Sequence, residues 1–282
     1  MNKMITDRVI ENFGTYLRNA ECSENTVKKY TRDVLRFAQF TNGKNPEKSD
    51  VLRYKAQLCE KYAPRSVNSV LSALNCFFEY INRGDMKVKT LKIQQRIFAD
   101  SDRELTQSDF FRLLDAANES GDDRLYCLMQ TLAATGMRIS ELKYITCDAV
   151  EKHRADIDCK GKMRRILLPK KLCRLLASYI KRHGIGQGEV FVSRNGNPLN
   201  RTNIWRMLKR LCAKARVNAN KVFPHNFRHL FARTYYKMQK DIVRLADILG
   251  HSSINTTRIY TIESGAGHIE QLQKLSSIFI RA

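Results

Sequence analysis

ILGHSSINTTRIYT, residues 248 to 261, places a histidine nine residues before a tyrosine. Gly250 indicates the end of one helix, and a serine shortly after it can cap the next. Tyr260 then has two possible roles, as an aromatic residue that anchors a helix or as a reactive group. Because the stretch alone is compatible with both, the rest of the chain must decide between them.

The charge of the chain points to an anionic partner. Its 282 residues are enough for two ordinary domains, and 50 Lys and Arg against 28 Asp and Glu give a net charge of +22. Residues 1–100 carry 18 basic and 11 acidic side chains, and residues 101–282 carry 32 and 17. Both halves are basic, which argues against a neutral domain with a basic tail. Nucleic acid is the expected partner, and a membrane surface is the weaker alternative.

Targeting signals and cysteine spacing favour a cytoplasmic protein. The N-terminal stretch MNKMITDRVIENF contains acidic residues and lacks the apolar run of a secretory signal. Eight cysteines lie far apart without a C-x2-C pair, which favours reduced thiols over a disulfide framework or a zinc site.

Hydrophobic periodicity predicts a mainly α protein with two domains. Residues 1–85 form a helical domain, in which SENTVKKYTRDVLRFAQF and APRSVNSVLSALNCFFEYINRG each carry an apolar stripe and basic side chains. Residues 86–104 lack a clear period and are predicted to be a linker. Residues 105–282 are mostly helical, with a small antiparallel β-sheet formed by a hairpin about Gly161. One of the predicted helices starts just after Gly136, and EVFVSRNGNPLN is predicted to add a short strand. The basic helix faces are either solvated surface or contacts to nucleic acid.

His225 and Arg228 are the first candidate pair for binding an anion. They lie three apart at the start of a helix that Pro224 begins, so they share a face near a helix end that favours anions. His229 gives an H-x3-H spacing that also fits zinc, but no third ligand is evident. We therefore expect a phosphate rather than a metal at this helix end.

Arg138, Lys160 and Lys162 are further cationic candidates. Arg138 follows Gly136 and has Glu141 three residues on, so an ordinary structural ion pair is the alternative. The two lysines lie at the tip of the predicted hairpin, where lysines are also common without any function.

Together these groups resemble the tyrosine recombinases. ATGMRISEL is similar to the first arginine box of that family, HNFRH to its His-x-x-Arg box, and LGHSSINTTRIYT to its final box, including the step of nine residues from His to Tyr. The resemblance covers nearly the whole chain, since the N-terminal helices look like the family's core-binding domain and residues 105–282 like its catalytic domain. It implies that the catalytic residues are Arg138, Lys160, His225, Arg228, His251 and Tyr260.

The chemistry implied by the resemblance needs no cofactor. An unperturbed tyrosine is ionised to about one part in a thousand at pH 7, which costs roughly 4 kcal/mol. The arginines would grip the phosphate oxygens, Tyr260 would form a 3′-phosphotyrosine, His225 would move a proton near the tyrosine, and His251 would donate a hydrogen bond to the phosphate. Lys160 would protonate the leaving 5′-oxygen. Because the turn is one residue tighter here than in many relatives, Lys162 stays an alternative.

The same resemblance implies the partners and leaves three activities open. It predicts double-stranded DNA recombination sites, a homotetramer on two duplexes, and accessory proteins in some members. The terminal helix, residues 267–280, either is exchanged between protomers or packs on its own domain. A site-specific recombinase of a mobile element, or one that resolves chromosome dimers as Xer proteins do, is expected. A type IB topoisomerase and a non-catalytic DNA-binding regulator are the alternatives. In the first domain, Arg65 and Asn68 are candidate DNA contacts.

Overall fold

The structure, a computed structural model, describes residues 5–42, 45–93, 103–159, 162–193, 196–251 and 253–260. The chain divides into two compact units, Met1–Gln95 and Arg96–Ala282. Across the described ranges, no helix combines the length and the apolar character needed to cross a membrane. The predicted terminal helix lies outside the described residues.

Four helices form the first unit, and local sequence signals explain where they begin. Thr6 and Ser23 cap the first two helices with their side-chain oxygens, and Pro64 occupies the first turn of the fourth. Their apolar stripes meet in a core that contains Phe13 and Phe37. The helices are α1 (Asp7–Asn19), α2 (Glu24–Phe40), α3 (Lys48–Lys61) and α4 (Pro64–Tyr80).

An extended strap, Lys87–Leu91, continues this unit beyond residue 85, where we predicted its end. Asn75 of α4 exchanges two hydrogen bonds with the backbone of Val88 (2.9 and 3.0 Å). Asn68, two turns earlier, does the same with Leu91 (2.9 and 2.7 Å). The strap therefore runs antiparallel to α4, held by side chains seven residues apart.

Lysines of α3 hold the strap from another side. Lys48 donates to the carbonyls of Asp85 and Lys87, and Lys55 donates to the carbonyl of Lys89 (2.7 Å). Val88 is buried in the core of the unit. The first part of the predicted linker is thus a built part of the first unit.

The second unit is mostly helical with one β-hairpin. Strands β1 (Arg154–Cys159) and β2 (Lys162–Leu167) pair antiparallel, with Ile157 opposite Arg164. This confirms the predicted fold class. The helices are α5 (Gln107–Glu119), α6 (Asp123–Thr135), α7 (Cys147–Glu151), α8 (Lys170–Arg182), α9 (Arg201–Lys214), α10 (Pro224–Gln239), α11 (Ile242–Leu249) and α12 (Ile254–Arg258).

Two predicted elements differ from the structure. The segment after Gly136 is a short 3-10 helix, Ile139–Tyr144, rather than an α-helix, because Thr146 soon caps α7. In the described residues of EVFVSRNGNPLN, the predicted strand is reduced to two isolated bridges, one between Glu189 and Thr146 and one between Val192 and Pro198. Proline has no N–H to donate, which limits a ladder at this position.

Most of the second unit packs around one large core, and a smaller cluster lies beside it. This cluster brings α10 and α11 together with the end of the described chain through Ala232, Leu245, Leu249 and Tyr260. Tyr260 is therefore packed into the fold as an aromatic residue, in agreement with the first of its two possible roles. Its neighbours decide whether it also has the second.

Candidate active site

Three arginines meet at the C-terminal end of α11. The last carbonyls of a helix have no partner within the helix and lie at the negative end of its dipole. The carbonyl oxygens at the end of α11 therefore attract positively charged side chains. Each of three consecutive carbonyls accepts from a different guanidinium: Ile248 O from Arg164 (2.8 Å), Leu249 O from Arg228 (2.7 Å) and Gly250 O from Arg138 (3.4 Å).

Gly250 makes this arrangement possible. It adopts the left-handed conformation (φ 64°) that ends α11, and the N–H of His251 then returns to the carbonyl of Ala246 (3.0 Å). A Cβ on Gly250 would lie 2.5 Å from Cδ of Arg164. The glycine thus ends the helix, positions the histidine and leaves the space that Arg164 fills.

Arg228 is the most deeply buried arginine of the three, only 2% exposed. Its Nη1 donates to the carbonyl of Gly136 (2.6 Å), and its Nη2 lies 2.7 Å from Nε2 of His251. Burial lowers the pKa of Arg228, and the charge of Arg138 lowers it further. A guanidinium nevertheless remains protonated at neutral pH. Arg228 is therefore a fixed charge, held between the ends of α6 and α11.

Glu141 joins two of the arginines. Its Oε1 accepts from Arg138 (2.9 Å) and from Arg164 (2.8 Å), and its Oε2 accepts from the backbone N–H of Arg138 (2.7 Å). The carboxylate is nearly buried, whereas Arg138 is 38% exposed. Glu141 therefore orients Arg138 while the outer part of its guanidinium remains open to a ligand.

His251 is held in one tautomer by its two partners. Arg228 can only donate, so Nε2 of His251 accepts, and the ring proton lies on Nδ1, 2.8 Å from the hydroxyl of the buried Thr257. Burial, followed by the charge of Arg228, lowers the pKa of His251 to about 4. The histidine is therefore neutral at pH 7.

A pocket of about 360 Å³ opens beside these groups. His225 lies at its edge, exposed in the first turn of α10, where helix N–H groups favour an anion. Although part of the side chain is exposed, desolvation of the imidazole by the surrounding pocket wall lowers the pKa of His225, and the charges of Arg201 and Arg228 lower it further. The pocket has the size and the charge to hold a phosphate group. Its polar lining is formed by Arg138, Ser140, Lys143, Glu189, Arg201, His225 and Arg228, so four basic side chains face one carboxylate.

Tyr260 lies between two histidine rings and is 6% exposed. The ring of His229 meets it edge on at 4.7 Å between centroids, and the ring of His251 stacks on it at 5.9 Å. Its hydroxyl interacts with Arg228, opposing the effect of burial on the pKa of that arginine. The tyrosine thus reaches the same guanidinium that binds His251.

His229 packs against the ring of Tyr260. Burial lowers its pKa to about 4, so it is neutral at pH 7. In the described part of the chain, no three His, Cys, Asp or Glu side chains are placed to hold a metal ion.

The profile of the phage integrase family matches residues 103–265, and that of its SAM-like N-terminal domain matches residues 9–87. The chain belongs to the phage integrase family, whose members are tyrosine recombinases. The resemblance found in the three sequence boxes is therefore confirmed across both units.

Individual members of the family cover nearly the whole chain. The tyrosine recombinase XerA of Pyrococcus furiosus is 31% identical over 270 residues, covering 92% of this chain and 91% of that protein. A crystal structure of XerA recombinase is 26% identical with a TM-score of 0.53 and covers 98% and 99% of the two chains. A lambda integrase tetramer bound to a Holliday junction is 17% identical with a TM-score of 0.73 over 92% of this chain and 78% of that one, which shows the shared fold.

Five of the six catalytic residues inferred from the family boxes lie together in the second unit. The contacts above link Arg138, Arg228, His251 and Tyr260, and His225 lines the same pocket. Lys160 lies outside the described residues. The side chain of Lys162 does as well, so the choice between the two lysines stays a prediction.

The two candidate DNA contacts of the first unit differ in their surroundings. Arg65 is exposed in the first turn of α4. Both amide atoms of Asn68 instead bind the strap backbone at Leu91. Asn68 therefore has a structural role. Without its amide, the N–H and C=O groups of Leu91 would lose their hydrogen-bond partners.

Arg164 and Thr257 belong to the site but were missed from the sequence. Arg164 alternates with Ile166, so it lies on the core-facing side of β2, while Arg165 faces solvent. The signal was therefore an arginine in register with a buried isoleucine. Thr257 gave no signal, since its role depends on the tautomer of His251.

Proposed function

We propose that this protein cuts and rejoins DNA strands at specific sites through a covalent bond to Tyr260. The convergence of two arginines, a neutral histidine and Tyr260 beside a pocket of phosphate size carries the proposal. Arg138 and Arg228 would bind the non-bridging oxygens of the scissile phosphate, for which a planar guanidinium is well suited. His251 would add a hydrogen bond as negative charge develops.

The reaction would exchange one phosphodiester for another. The phenolic oxygen of Tyr260 forms a bond to phosphorus, the bond from phosphorus to the 5′-oxygen breaks, and the tyrosine proton passes to a base, for which His225 is our candidate. Lys160, or Lys162 in its place, would give a proton to the leaving oxygen. Attack by a 5′-hydroxyl of a second strand reverses these steps, so no energy-rich cofactor is needed.

The site without DNA must rearrange before it can act. Arg228 now bonds two carbonyls and His251, and Tyr260 is almost fully buried. A phosphate in the pocket would compete with these acceptors for the guanidinium. Binding of the correct DNA would thereby release His251 and open access to the tyrosine.

The first unit would hold the duplex beside the scissile phosphate. A cleft of about 350 Å³ among α2, α3 and α4 contains Lys29, Arg32 and Arg36. It also contains the buried carboxylate of Asp33, which pairs with Lys29 (2.6 Å) and more weakly with the exposed Arg32 (3.5 Å). Arg65 is exposed at the start of α4. We assign Arg32, Arg36 and Arg65 to the phosphate backbone and base edges. Lys29 and Asn68 are assigned structural roles, because Lys29 binds Asp33 and the carbonyl of Ser69, and Asn68 binds the strap.

We place the reaction in the cytoplasm and infer a homotetramer on two duplexes, as in the lambda integrase complex on a Holliday junction. The similarity to Xer proteins supports dimer resolution, and integration or excision of a mobile element is the other outcome. Accessory proteins would decide between them. The C-terminal residues, outside the described part, would link neighbouring protomers.

Covalent capture tests the proposal without knowledge of the target site. The protein is incubated with a pool of nicked duplexes with randomised arms, denatured, and analysed for DNA that migrates with protein. Wild type should give adducts that sequencing resolves into one site, and Tyr260→Phe should give none. If wild type binds the pool tightly without any adduct, the regulator alternative replaces this proposal.

The selected site also separates recombination from topoisomerase activity. Two labelled duplexes with distinguishable arms are supplied together with wild-type protein. Exchange of arms is expected from a recombinase. Relaxation of supercoiled plasmid without exchange would instead favour the topoisomerase alternative.

A further inference from the structure

The largely buried position of Arg164 is energetically unfavourable for an arginine side chain. Its side chain is 14% exposed, and burial lowers its pKa, as does the charge of Arg138. Its Nε–H is buried and finds no acceptor among the described residues. A buried cation next to other cations, with one donor unpaired, destabilises a fold. Its presence points to a task that stability alone does not explain.

The contacts of Arg164 connect three parts of the site. Nη1 binds both oxygens of Glu141 (2.8 and 3.0 Å), and Nη2 binds the carbonyl of Ile248 (2.8 Å). The stem packs against Gly250, where no Cβ would fit. Arg164 therefore joins the hairpin to the carboxylate that orients Arg138 and to the helix end that precedes His251.

We propose that Arg164 is a positioning residue for strand cleavage, which fixes Arg138 through Glu141 and fixes the segment of His251 through the end of α11. The inference rests on the proposed function. Without Arg164, Glu141 would keep a single guanidinium partner and the end of α11 would lose one of its three ties. Both would shift the groups that grip the phosphate, while the DNA surface elsewhere would stay intact.

Arg165 provides a matched control on the same strand. It is 53% exposed and pairs with Asp156 (2.7 Å), away from the site. Arg164→Met and Arg165→Met each remove one charge from β2, but only the first removes contacts to the site. Arg164→Lys keeps the charge yet lacks the fork needed to bind Glu141 and Ile248 together.

The test compares cleavage with binding in the full-length protein. Single-turnover adduct formation is measured on the duplex selected by covalent capture, with protein in excess and at a temperature well below the melting point of each variant. Arg164→Met should cleave roughly 10- to 100-fold more slowly with an affinity for the site within about twofold of wild type. Arg164→Lys should lie between this variant and wild type, and Arg165→Met should cleave like wild type.

Each contrary result identifies which idea fails. Cleavage by Arg164→Met within twofold of wild type, a loss of binding equal to the loss of cleavage, or an equal loss in Arg165→Met would overturn the positioning role while leaving the proposed function intact. Absence of adduct from wild type would overturn the proposed function and this inference with it.

Discussion

Replacing Thr257 with valine removes one hydroxyl from the buried centre of the site and changes little else. The side chain is fully buried, and its oxygen lies 2.8 Å from Nδ1 of His251. Valine has nearly the same shape. In the variant, the proton on Nδ1 would face a methyl group and have no acceptor.

The structure gives the size of the expected effects. A buried donor left without a partner costs about 1–3 kcal/mol, so the free energy of unfolding should fall by that amount. For cleavage, His251 must turn from acceptor to donor at Nε2, and Thr257 can follow by donating to Nδ1. That bond is polarised by the phosphate and roughly twice as strong as a neutral one. The additional loss of about 1 kcal/mol corresponds to a rate roughly fivefold lower.

Urea unfolding and single-turnover cleavage measure the two effects separately. Thr257→Ser keeps the hydroxyl and serves as the control, with cleavage within about twofold of wild type. Nitrogen NMR of labelled histidine adds a direct readout, since the free protein should carry its proton on Nδ1. A proton on Nε2 in the free protein, or a Thr257→Val variant as stable as wild type, would refute the assignment of the tautomer.

Three further predictions follow from other parts of the chain. Gly136→Ala should cost about 2–4 kcal/mol in urea unfolding, since a Cβ there would lie 2.4 Å from a neighbouring phenyl carbon; Gly121→Ala, with a similar φ and open space, should cost only about 1 kcal/mol. The free energy of unfolding should fall as pH falls from 7 to 5, because folding lowers the pKa values of His229 and His251 to about 4 and the unfolded chain therefore binds protons first. The double variant His229→Gln/His251→Gln should show a flatter dependence of this free energy on pH, and an unchanged slope would count against these pKa shifts. Asn68→Ala should speed hydrogen exchange in the strap and leave DNA affinity within about twofold, whereas a large loss of affinity would return Asn68 to the DNA contacts.

The fold class and the helix ends were accessible from local sequence. Gly250 ends α11 in the left-handed conformation, as predicted, and Gly136 ends α6 in the same way. Ser23 caps α2 and Pro64 begins α4 through equally local signals. Each of these signals depends on the backbone preferences of one residue and its immediate neighbours. Such preferences act before any tertiary contact forms, so a single sequence reveals them.

The side-chain contacts within the candidate active site could not be predicted from the local sequence. Glu141 was expected to pair with Arg138, but its second partner, Arg164, comes from a strand 23 residues further on. The strap likewise lacks any hydrophobic period, because side chains of α3 and α4 hold its backbone. Contacts of this kind depend on which helices and strands pack together, and a local sequence pattern does not predict them.

The three arginines at the end of α11 are bound to main-chain oxygens, which no side-chain substitution at residues 248 and 249 can remove. The positions of the three carbonyls that bind these arginines depend instead on the length of α11. Deleting one residue within α11 would move its end by about 1.5 Å and turn it by about 100°. All three guanidinium groups would then lose their acceptors at once, although every charged residue of the site would still be present. The spacing of the charges is thus encoded in the number of residues between Asp241 and Gly250, a property that insertions and deletions alter and substitutions preserve.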